Sequence, residues 1–278
     1  MSSGTREFRF SQQDFDTLRK LVKEHTGINL SDHKREMLYS RLARRLRVLN
    51  LDTFASYCEL LQSNAGDELI QFINSVTTNL TAFFRESHHF DFLSQILLPQ
   101  LIIKNQASRR IRIWSAGCAS GEEPYSIAMV VKEVIPAGWD VKILATDLDS
   151  NVLAKGTSGV YEEERINGIS QPRLHRWFKK GTGTQARRVS ISPDLKDMVT
   201  FKQLNLMNGW PMKGPFDIIF CRNVVIYFDK PTQKVLFDRF ANLQTEGGYL
   251  FVGHSENLFQ ITTRFRLLQQ TIYVKCEL

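Results

Sequence analysis

The chain has 278 residues, 42% of them hydrophobic and 23% charged, and its 36 basic and 29 acidic residues give a net charge of +7. This length favours two domains, and the composition is that of a soluble globular protein without the roughly 18-residue apolar run that a membrane helix needs. The positive charge suits an acidic partner and leaves nucleic acid, an anionic membrane and an acidic protein surface open.

The cysteines indicate the redox environment. They are Cys58, Cys118, Cys221 and Cys276, which are widely separated and form no CxxC pair. We therefore expect neither a disulfide framework nor a bound metal. The N-terminus also lacks the apolar stretch of a signal peptide, so a reducing cytoplasm is the expected location.

Helical periodicity dominates residues 1–88, which we predict to be an all-α domain. Ser11 and Asp14 resemble the capping box of a first helix. A second helix is predicted from about Lys34 to Asn50, with leucines in one narrow arc and cations on the other faces. Only Glu36 offsets these cations locally, so a solvated face and a docking surface for an acidic partner both remain open. The candidate docking residues are Arg41, Arg44, Arg45 and Arg47.

A polar and aromatic segment, Thr77-Thr-Asn-Leu-Thr-Ala-Phe-Phe-Arg-Glu, follows these helices. If Thr81 to Arg85 is helical, those two side chains share a face. Asn79, Thr81 and Arg85 could then point one way while the phenylalanines pack another way. We place the domain boundary in this region, with the second domain spanning 89–278.

From Arg110 onward, predicted strands alternate with predicted helices, as in a doubly wound α/β sheet. The first strand leads into small residues between Ser115 and Gly121, and a helix begins at Glu122. A glycine-rich, basic stretch at about 156–205 interrupts the alternation, and we interpret it as a small β-rich insertion. The other predicted strands are Val141–Thr146, Phe216–Cys221, Tyr249–Val252 and Ile272–Lys275, with the last two antiparallel.

The turn after the first strand predicts a cofactor site. It departs from the G-x-G-x-x-G pattern of dinucleotide sites, because Pro124 replaces the third glycine. Glu122 and Glu123 would repel a pyrophosphate, whereas S-adenosylmethionine carries an ammonium and a sulfonium. Asp147, at the tip of the second strand, could accept hydrogen bonds from ribose hydroxyls. The alternative is that both glutamates merely favour a helix N-terminus.

Dispersed segments of the chain share one pattern. They are 77–86, Trp114-Ser-Ala-Gly-Cys-Ala-Ser-Gly-Glu-Glu-Pro-Tyr-Ser, Ala145-Thr-Asp-Leu-Asp, Asn205-Leu206, Phe220-Cys-Arg-Asn-Val-Val-Ile-Tyr-Phe and Gly253-His-Ser-Glu-Asn-Leu. In this order they resemble the chemotaxis receptor methyltransferases, the CheR-type protein-glutamate O-methyltransferases, and the resemblance covers nearly the whole chain. It implies an all-α N-terminal domain joined to a Rossmann-like S-adenosylmethionine-binding α/β domain, with a small antiparallel β-subdomain inserted after the second strand.

The resemblance also implies an activity. That family methylates glutamate side chains on the cytoplasmic helical bundle of chemoreceptors, and in some members the β-subdomain docks a receptor C-terminal peptide. Arg85 and Tyr227 would lie nearest the transferred methyl group, and Glu122 or its neighbour Glu123 would contact the cofactor. We expect a monomer that yields S-adenosylhomocysteine. The implied cofactor-binding residues are Asn79, Thr81, Arg85, Gly117, Glu122, Asp147, Asn205, Leu206, Arg222 and Asn223.

Two other functions are compatible with parts of the pattern. A nucleic-acid methyltransferase would explain the basic charge, but amino-methylating enzymes of that kind usually carry an Asp/Asn-Pro-Pro-aromatic sequence where this chain has Arg222-Asn-Val-Val. Aromatic and basic residues are not interleaved as in single-strand binders. A non-catalytic receptor adaptor is the other alternative, and the retained Asn79, Arg85, Asp147 and Asn223 argue against it.

Overall fold

The computed structural model describes residues 7–64 and 66–277. Contacts divide the chain into two units, Met1–Thr78 with Tyr227–Asp229, and Asn79–Ile226 with Lys230–Leu278. This division comes before the predicted boundary at residue 88. The reason is that Phe83 packs edge-on against Tyr161 at 5.1 Å and Phe178 at 5.5 Å between ring centroids, both within the second unit.

The first unit is helical. Its opening helix has the predicted capping box, because Ser11 Oγ accepts from Asp14 N at 3.1 Å while Asp14 Oδ2 accepts from Ser11 N at 2.8 Å. The second helix begins at Arg35 and is preceded by a 3₁₀ turn at Asp32–Lys34. The helices are α1 Gln12–Thr26, α2 Arg35–Leu49, α3 Phe54–Asn64 and α4 Asp67–Val76.

One apolar core holds these four helices together. Its fully buried side chains include Phe15, Leu38, Phe54 and Phe72, which come from all four helices. The short segment Tyr227–Asp229 belongs to this unit and is bonded to it through Asn29 N, which donates to Tyr227 O at 2.8 Å.

The second unit is built on a seven-stranded sheet. Its strands are β1 Arg110–Ala116, β2 Asp140–Asp147, β6 Val199–Gln203, β7 Phe216–Cys221, β8 Gln244–Val252, β9 Phe265–Gln269 and β10 Ile272–Lys275. Their order in the sheet is β6-β2-β1-β7-β8-β10-β9. The first five strands in this order run parallel, and β10 is antiparallel to both of its neighbours. The predicted antiparallel pairing of the β8 and β10 segments is confirmed.

A separate antiparallel sheet lies within the predicted insertion. Its order is β3-β5-β4, with β3 Val160–Glu162, β4 Phe178–Lys180 and β5 Arg188–Ile191. The sequence placed this insertion at 156–205, but Gly156 lies in a helix and Val199–Gln203 is the edge strand of the main sheet. Val199–Gln203 is hard to recognise as part of the main sheet because it is an edge strand. Its exposed polar residues alternate with apolar ones, as residues in the basic insertion do.

Helices pack on the sheet of the second unit. A π-helical turn at Leu93–Leu97 joins the first two of them, and 3₁₀ turns lie at Glu163–Ile166, Gly183–Gln185 and Val225–Tyr227. The helices are α5 His88–Phe92, α6 Leu98–Lys104, α7 Glu122–Val134, α8 Ser150–Ser158, α9 Gln171–Trp177, α10 Pro193–Lys196 and α11 Lys230–Leu243.

Candidate active site

The turn between β1 and α7 needs glycine at both ends. Gly117 has φ of 83°, and a Cβ there would lie 2.3 Å from Val224 Cγ2. Gly121 has φ of 95°, and a Cβ there would lie 2.9 Å from the Cα of Gly156. Positive φ and close backbone approach both favour glycine, so the turn is a tight cradle at the carboxyl end of β1.

Asp147 ends β2 beside this cradle. Its carboxylate accepts from Ala119 N at 2.8 Å and from Asp149 N at 3.0 Å. Burial raises the pKa of Asp147, and these backbone N–H groups oppose that rise. Leu204 N donates to Asp147 O at 2.9 Å, which brings the following Asn205 and Leu206 to the same edge of the sheet. Four of the predicted cofactor-binding residues therefore lie together where strands β1, β2 and β6 end, on the carboxyl side of the sheet. They are Gly117, Asp147, Asn205 and Leu206.

Glu122 is fully buried at the start of α7. Its carboxylate accepts from Ser120 Oγ at 2.7 Å and forms an ion pair with Arg165. Arg165 also donates to Thr81 O at 3.0 Å. The sequence predicts that Glu122 lies beside a cationic ligand. In the structure Arg165 neutralises it, as a buried carboxylate requires.

Glu123 has a different partner. It accepts from Ser115 Oγ at 2.7 Å and from Arg222 Nη1 at 3.0 Å. Burial raises the pKa of Glu123, and the Arg222 guanidinium acts in the opposite direction. The two adjacent glutamates are thus held by two different arginines, one from the insertion and one from the end of β7.

Arg222 links three segments of the second unit. Its side chain is 2% exposed, and beyond Glu123 it contacts Glu86 Oε2 at 3.2 Å and donates to Arg85 O. Burial alone would raise the pKa of Glu86, but Arg222 and His254 hold it at about 2. Arg222 therefore fixes the backbone at Arg85 relative to the sheet.

Arg85 lies in a turn, so the helix considered for Thr81 to Arg85 does not form. The neighbouring Phe84 and Glu86 have positive φ of 55° and 58°. The half-buried Arg85 side chain donates from Nη1 to Leu80 O at 2.8 Å. Helical spacing consequently does not relate Thr81 to Arg85.

Asn79 and Asn223 are each held by a buried carboxylate. Asn79 Nδ2 donates to Asp149 Oδ2 at 2.7 Å, and Asp149 caps α8. Asn223 has φ of 59°, and its N–H donates to Glu256 Oε2 at 2.8 Å. A Cβ on Gly253 would lie 2.4 Å from Asn223 Nδ2.

Glu256 lies in a segment that matches the family pattern, and in the structure it positions the backbone around Asn223. It is buried and accepts from three backbone N–H groups, those of Asn223, Ile226 and Gly253, at 2.8, 3.2 and 2.6 Å. Burial raises its pKa while these bonds oppose the rise. Its proximity to Asn223, 33 positions away in the chain, carries no local sequence signal.

Tyr227 belongs to the first unit, whereas Arg85 belongs to the second. Tyr227 is half-buried at the end of the 3₁₀ turn Val225–Tyr227. The predicted pairing of Arg85 with Tyr227 around a reacting carboxylate stays a prediction.

The four arginines of the predicted docking helix have unequal surroundings. Arg45 pairs with the buried Glu68, which also accepts from Tyr57 OH at 2.7 Å. Arg41 caps α4 by donating to the carbonyls of Val76 and Thr77 at 3.0 and 2.6 Å. Two of the four arginines therefore support the helical unit itself.

The other two, Arg44 and Arg47, are exposed. Arg47 pairs with Glu7 at 2.8 Å on the surface, and Arg44 has no ion pair among the residues that the structure describes. On α2, fewer arginines are therefore available to an acidic partner than the sequence predicts. None of the helices in the described part of the chain has the length and apolar character needed to cross a membrane.

Two family models match the chain in succession. The all-alpha domain of CheR methyltransferases matches residues 13–77, and their SAM-binding domain matches residues 79–274. The junction between the two matches falls where the structure divides.

Named relatives match over almost the entire chain. Chemotaxis protein methyltransferase 2 of Pseudomonas aeruginosa is 43% identical over 97% of this chain and 95% of its own length. The chemotaxis protein methyltransferase of Escherichia coli is 43% identical over 97% of this chain and 93% of its own length. Chemotaxis protein methyltransferase 1 of Pseudomonas aeruginosa is 34% identical over 92% of this chain and 94% of its own length. The chain therefore belongs to the CheR methyltransferase family and is an S-adenosylmethionine-dependent methyltransferase.

Proposed function

We propose that this enzyme transfers a methyl group from S-adenosylmethionine to glutamate side chains of chemoreceptors, forming glutamate methyl esters and S-adenosylhomocysteine in chemotactic adaptation. The observation that carries the proposal is the 43% identity to chemotaxis protein methyltransferases over 97% of the chain. The expected location is the cytoplasm, where the signalling ends of receptors lie, and the expected state is a monomer.

The cradle and its surroundings fit this cofactor. Gly117 and Gly121 present no side chain at the two ends of the turn, and the buried Asp147 carboxylate is suited to ribose hydroxyls. Asn205, Leu206 and Asn223 follow strands at the same sheet edge. We assign cofactor binding to these residues together with Asn79, Thr81, Arg85, Glu122 and Arg222. Within that set, Glu122 and Arg222 act through their ion pairs, because both side chains are buried against protein partners.

The reaction requires little acid–base catalysis by the protein. The bound cofactor supplies an electrophilic methyl group on a sulfonium. A glutamate with a pKa of about 4.3 is already ionised at pH 7, so neither a general base nor a metal is needed for the attack. The protein must orient the carboxylate and strip its water. We assign this to Arg85, by a charge-assisted hydrogen bond, and to Tyr227, by a hydroxyl donor.

We expect Tyr227→Phe to lower the rate of methyl transfer by about 10- to 100-fold, because one hydrogen bond to a charged group contributes about 1.5–3 kcal/mol. The cofactor dissociation constant should stay within about 2-fold, since Tyr227 is assigned to the acceptor and not to the donor. The measurement is single-turnover transfer from labelled S-adenosylmethionine, with cofactor affinity by calorimetry. A wild-type rate would remove Tyr227 from the mechanism.

Receptor docking is proposed to use the exposed part of α2. Arg44 and Arg47 offer cations to an acidic helical surface, whereas Arg41 and Arg45 hold α4. We expect Arg44→Glu combined with Arg47→Glu to raise the KM for receptor fragments by about 10-fold, with steeper loss at low salt. Lys20→Glu, an exposed change on α1, is the matched control. If cofactor affinity fell in parallel with receptor affinity, this docking proposal would be rejected.

The insertion is the second proposed receptor contact. Six of its cations lie between residues 173 and 188, and some of them are paired locally, as Lys180 is with Glu163 at 2.8 Å and Arg188 with Glu162 at 3.0 Å. Its basic character suits an acidic and aromatic receptor C-terminal peptide. A titration with candidate receptor tails tests this contact directly. The cations are Arg173, Arg176, Lys179, Lys180, Arg187 and Arg188.

One assay separates the proposed substrate from nucleic acid. Labelled S-adenosylmethionine is incubated with the enzyme and either receptor cytoplasmic fragments or RNA, and the macromolecule is collected on filters. Label on the receptor and none on RNA is the expected result. Label on RNA alone would replace the receptor proposal, and label on neither would favour a non-catalytic adaptor.

A further inference from the structure

A cluster of potential metal ligands lies immediately after Arg85. Glu86, His88 and His89 each offer one ligand atom, and these atoms lie within 4.8 Å of one another. The positive φ of Glu86 and the start of α5 at His88 bring them together. The proposed methyl transfer uses none of these ligand atoms. The sequence-based expectation of no bound metal depends on the spacing of the cysteines. That spacing gives no information about a cluster of histidines.

Two of the ligand atoms are buried without hydrogen bonds to the described part of the chain, namely His89 Nδ1 and Glu86 Oε2. They face each other at 3.6 Å. His89 is 0% exposed, and its Nε2 lies 2.9 Å from Thr271 Oγ1. If Nε2–H donates to Thr271, Nδ1 carries a lone pair next to a carboxylate oxygen. Buried polar atoms are normally paired. Glu86 Oε2 lies 3.2 Å from the Arg222 guanidinium, whereas His89 Nδ1 has no hydrogen-bond partner in the described part of the chain, and a metal ion between the two atoms would pair both.

The spacing suits a small transition-metal ion. Zinc binds imidazole nitrogen and carboxylate oxygen at about 2.0–2.2 Å, which separates two tetrahedral ligands by roughly 3.4 Å. The separation of His89 Nδ1 from Glu86 Oε2, 3.6 Å, is close to this value. His88 is half-buried and can rotate toward the ion. His254, which is 67% exposed, already lies with Nδ1 at 3.1 Å from Glu86 Oε1 and is positioned to be a fourth ligand.

The surrounding charge permits a cation. Arg222 is close to Glu86, but its guanidinium is shared with Glu123. The His89 imidazole is fully buried, and its Nδ1 lies 3.6 Å from Glu86 Oε2, so it is placed to act as a nitrogen ligand beside the carboxylate. Nitrogen donors favour zinc, cobalt and nickel over magnesium and calcium, which prefer oxygen ligands.

We propose that Glu86, His88 and His89 form a binding site for a divalent transition metal of the zinc class, with His254 as the fourth ligand. The site goes beyond the proposed methyl transfer, and its test involves no methyl donor.

The test is a titration of the full-length, chelator-treated protein with Co²⁺, followed by its visible d–d absorption. We expect one ion per chain, displacement by Zn²⁺, and no competition from excess Mg²⁺. His88→Ala and His254→Ala should each weaken Co²⁺ binding by at least ~10-fold, because even the loss of a residue that only orients a metal ligand typically costs 10–100-fold in metal affinity. His175→Ala, an exposed histidine on α9, is the matched control and should bind as the wild type does.

The variants are chosen so that a loss of metal binding cannot be attributed to unfolding. His88 and His254 are not fully buried, so their removal should leave the unfolding transition unchanged, and this is checked for each variant. Absence of the d–d bands in the wild-type protein would overturn the proposal. Wild-type affinity in His88→Ala, or an equal loss in the His175→Ala control, would overturn it as well.

Discussion

Arg85→Ala should reduce methyl transfer by about 10²-fold or more while the chain stays folded. The physical reason is that Arg85 is assigned to align the reacting carboxylate, and misplacement by about 1 Å can cost 10²-fold in rate. Its side chain donates to Leu80 O in a half-buried turn, so its removal leaves no buried charge behind. The measurement is the single-turnover rate at saturating cofactor and receptor fragment.

The conservative variant sharpens this prediction. Arg85→Lys keeps the charge and loses the planar fork, so an intermediate rate is expected. Arg110→Ala, an exposed change at the start of β1, is the matched control and should retain the wild-type rate. A near-normal rate in Arg85→Ala would remove Arg85 from the mechanism.

Arg222→Met should destabilise the second unit by about 3–5 kcal/mol, because removing one partner of a buried ion pair leaves uncompensated charge. Arg222 is 2% exposed and contacts both Glu86 and Glu123. The free energy of unfolding can be followed by tryptophan fluorescence in urea. All four tryptophans, at positions 114, 139, 177 and 210, lie in the second unit, so the signal reports that unit.

A second substitution tests the cause of this loss. Adding Glu123→Gln to Arg222→Met removes one of the stranded charges, so the double variant should be more stable than Arg222→Met alone. Arg188, on β5, pairs with Glu162 at the surface, and both side chains are exposed, so Arg188→Met should cost only about 0–1 kcal/mol. Equal losses in Arg188→Met and Arg222→Met would contradict the assigned role of Arg222.

The sequence predicts the fold well where burial is complete. The strand Phe216–Cys221 is predicted to the residue, because every side chain in it is buried and the apolar run has no other explanation. The family, the α/β class with an all-α N-terminal domain, and the methyltransferase activity are confirmed. The edge strands are harder to predict: β9, Phe265–Gln269, has a single buried residue and gives no strand signal of its own.

The site is harder to predict because its energetics depend on partners far away in the chain. Glu122 and Glu123 look alike in sequence, yet their arginines come from positions 43 and 99 residues away. The same holds for α2, where charge periodicity alone cannot distinguish the exposed Arg44 from Arg45, whose carboxylate partner lies on α4. The residue types predict which residues lie at the carboxyl ends of the strands. The structure is needed to show which charged side chains already have a partner of opposite charge.

Identification of the methylated group tests the central claim most directly. Receptor cytoplasmic fragments would be incubated with the enzyme and labelled S-adenosylmethionine, and their peptides analysed by mass spectrometry before and after treatment with mild base. We predict that the label sits on glutamate side chains before this treatment and is released by it as methanol, and that Arg85→Ala lowers the rate of labelling by about 10²-fold or more. A base-stable methyl group, or one on a side chain other than glutamate, would contradict the proposal.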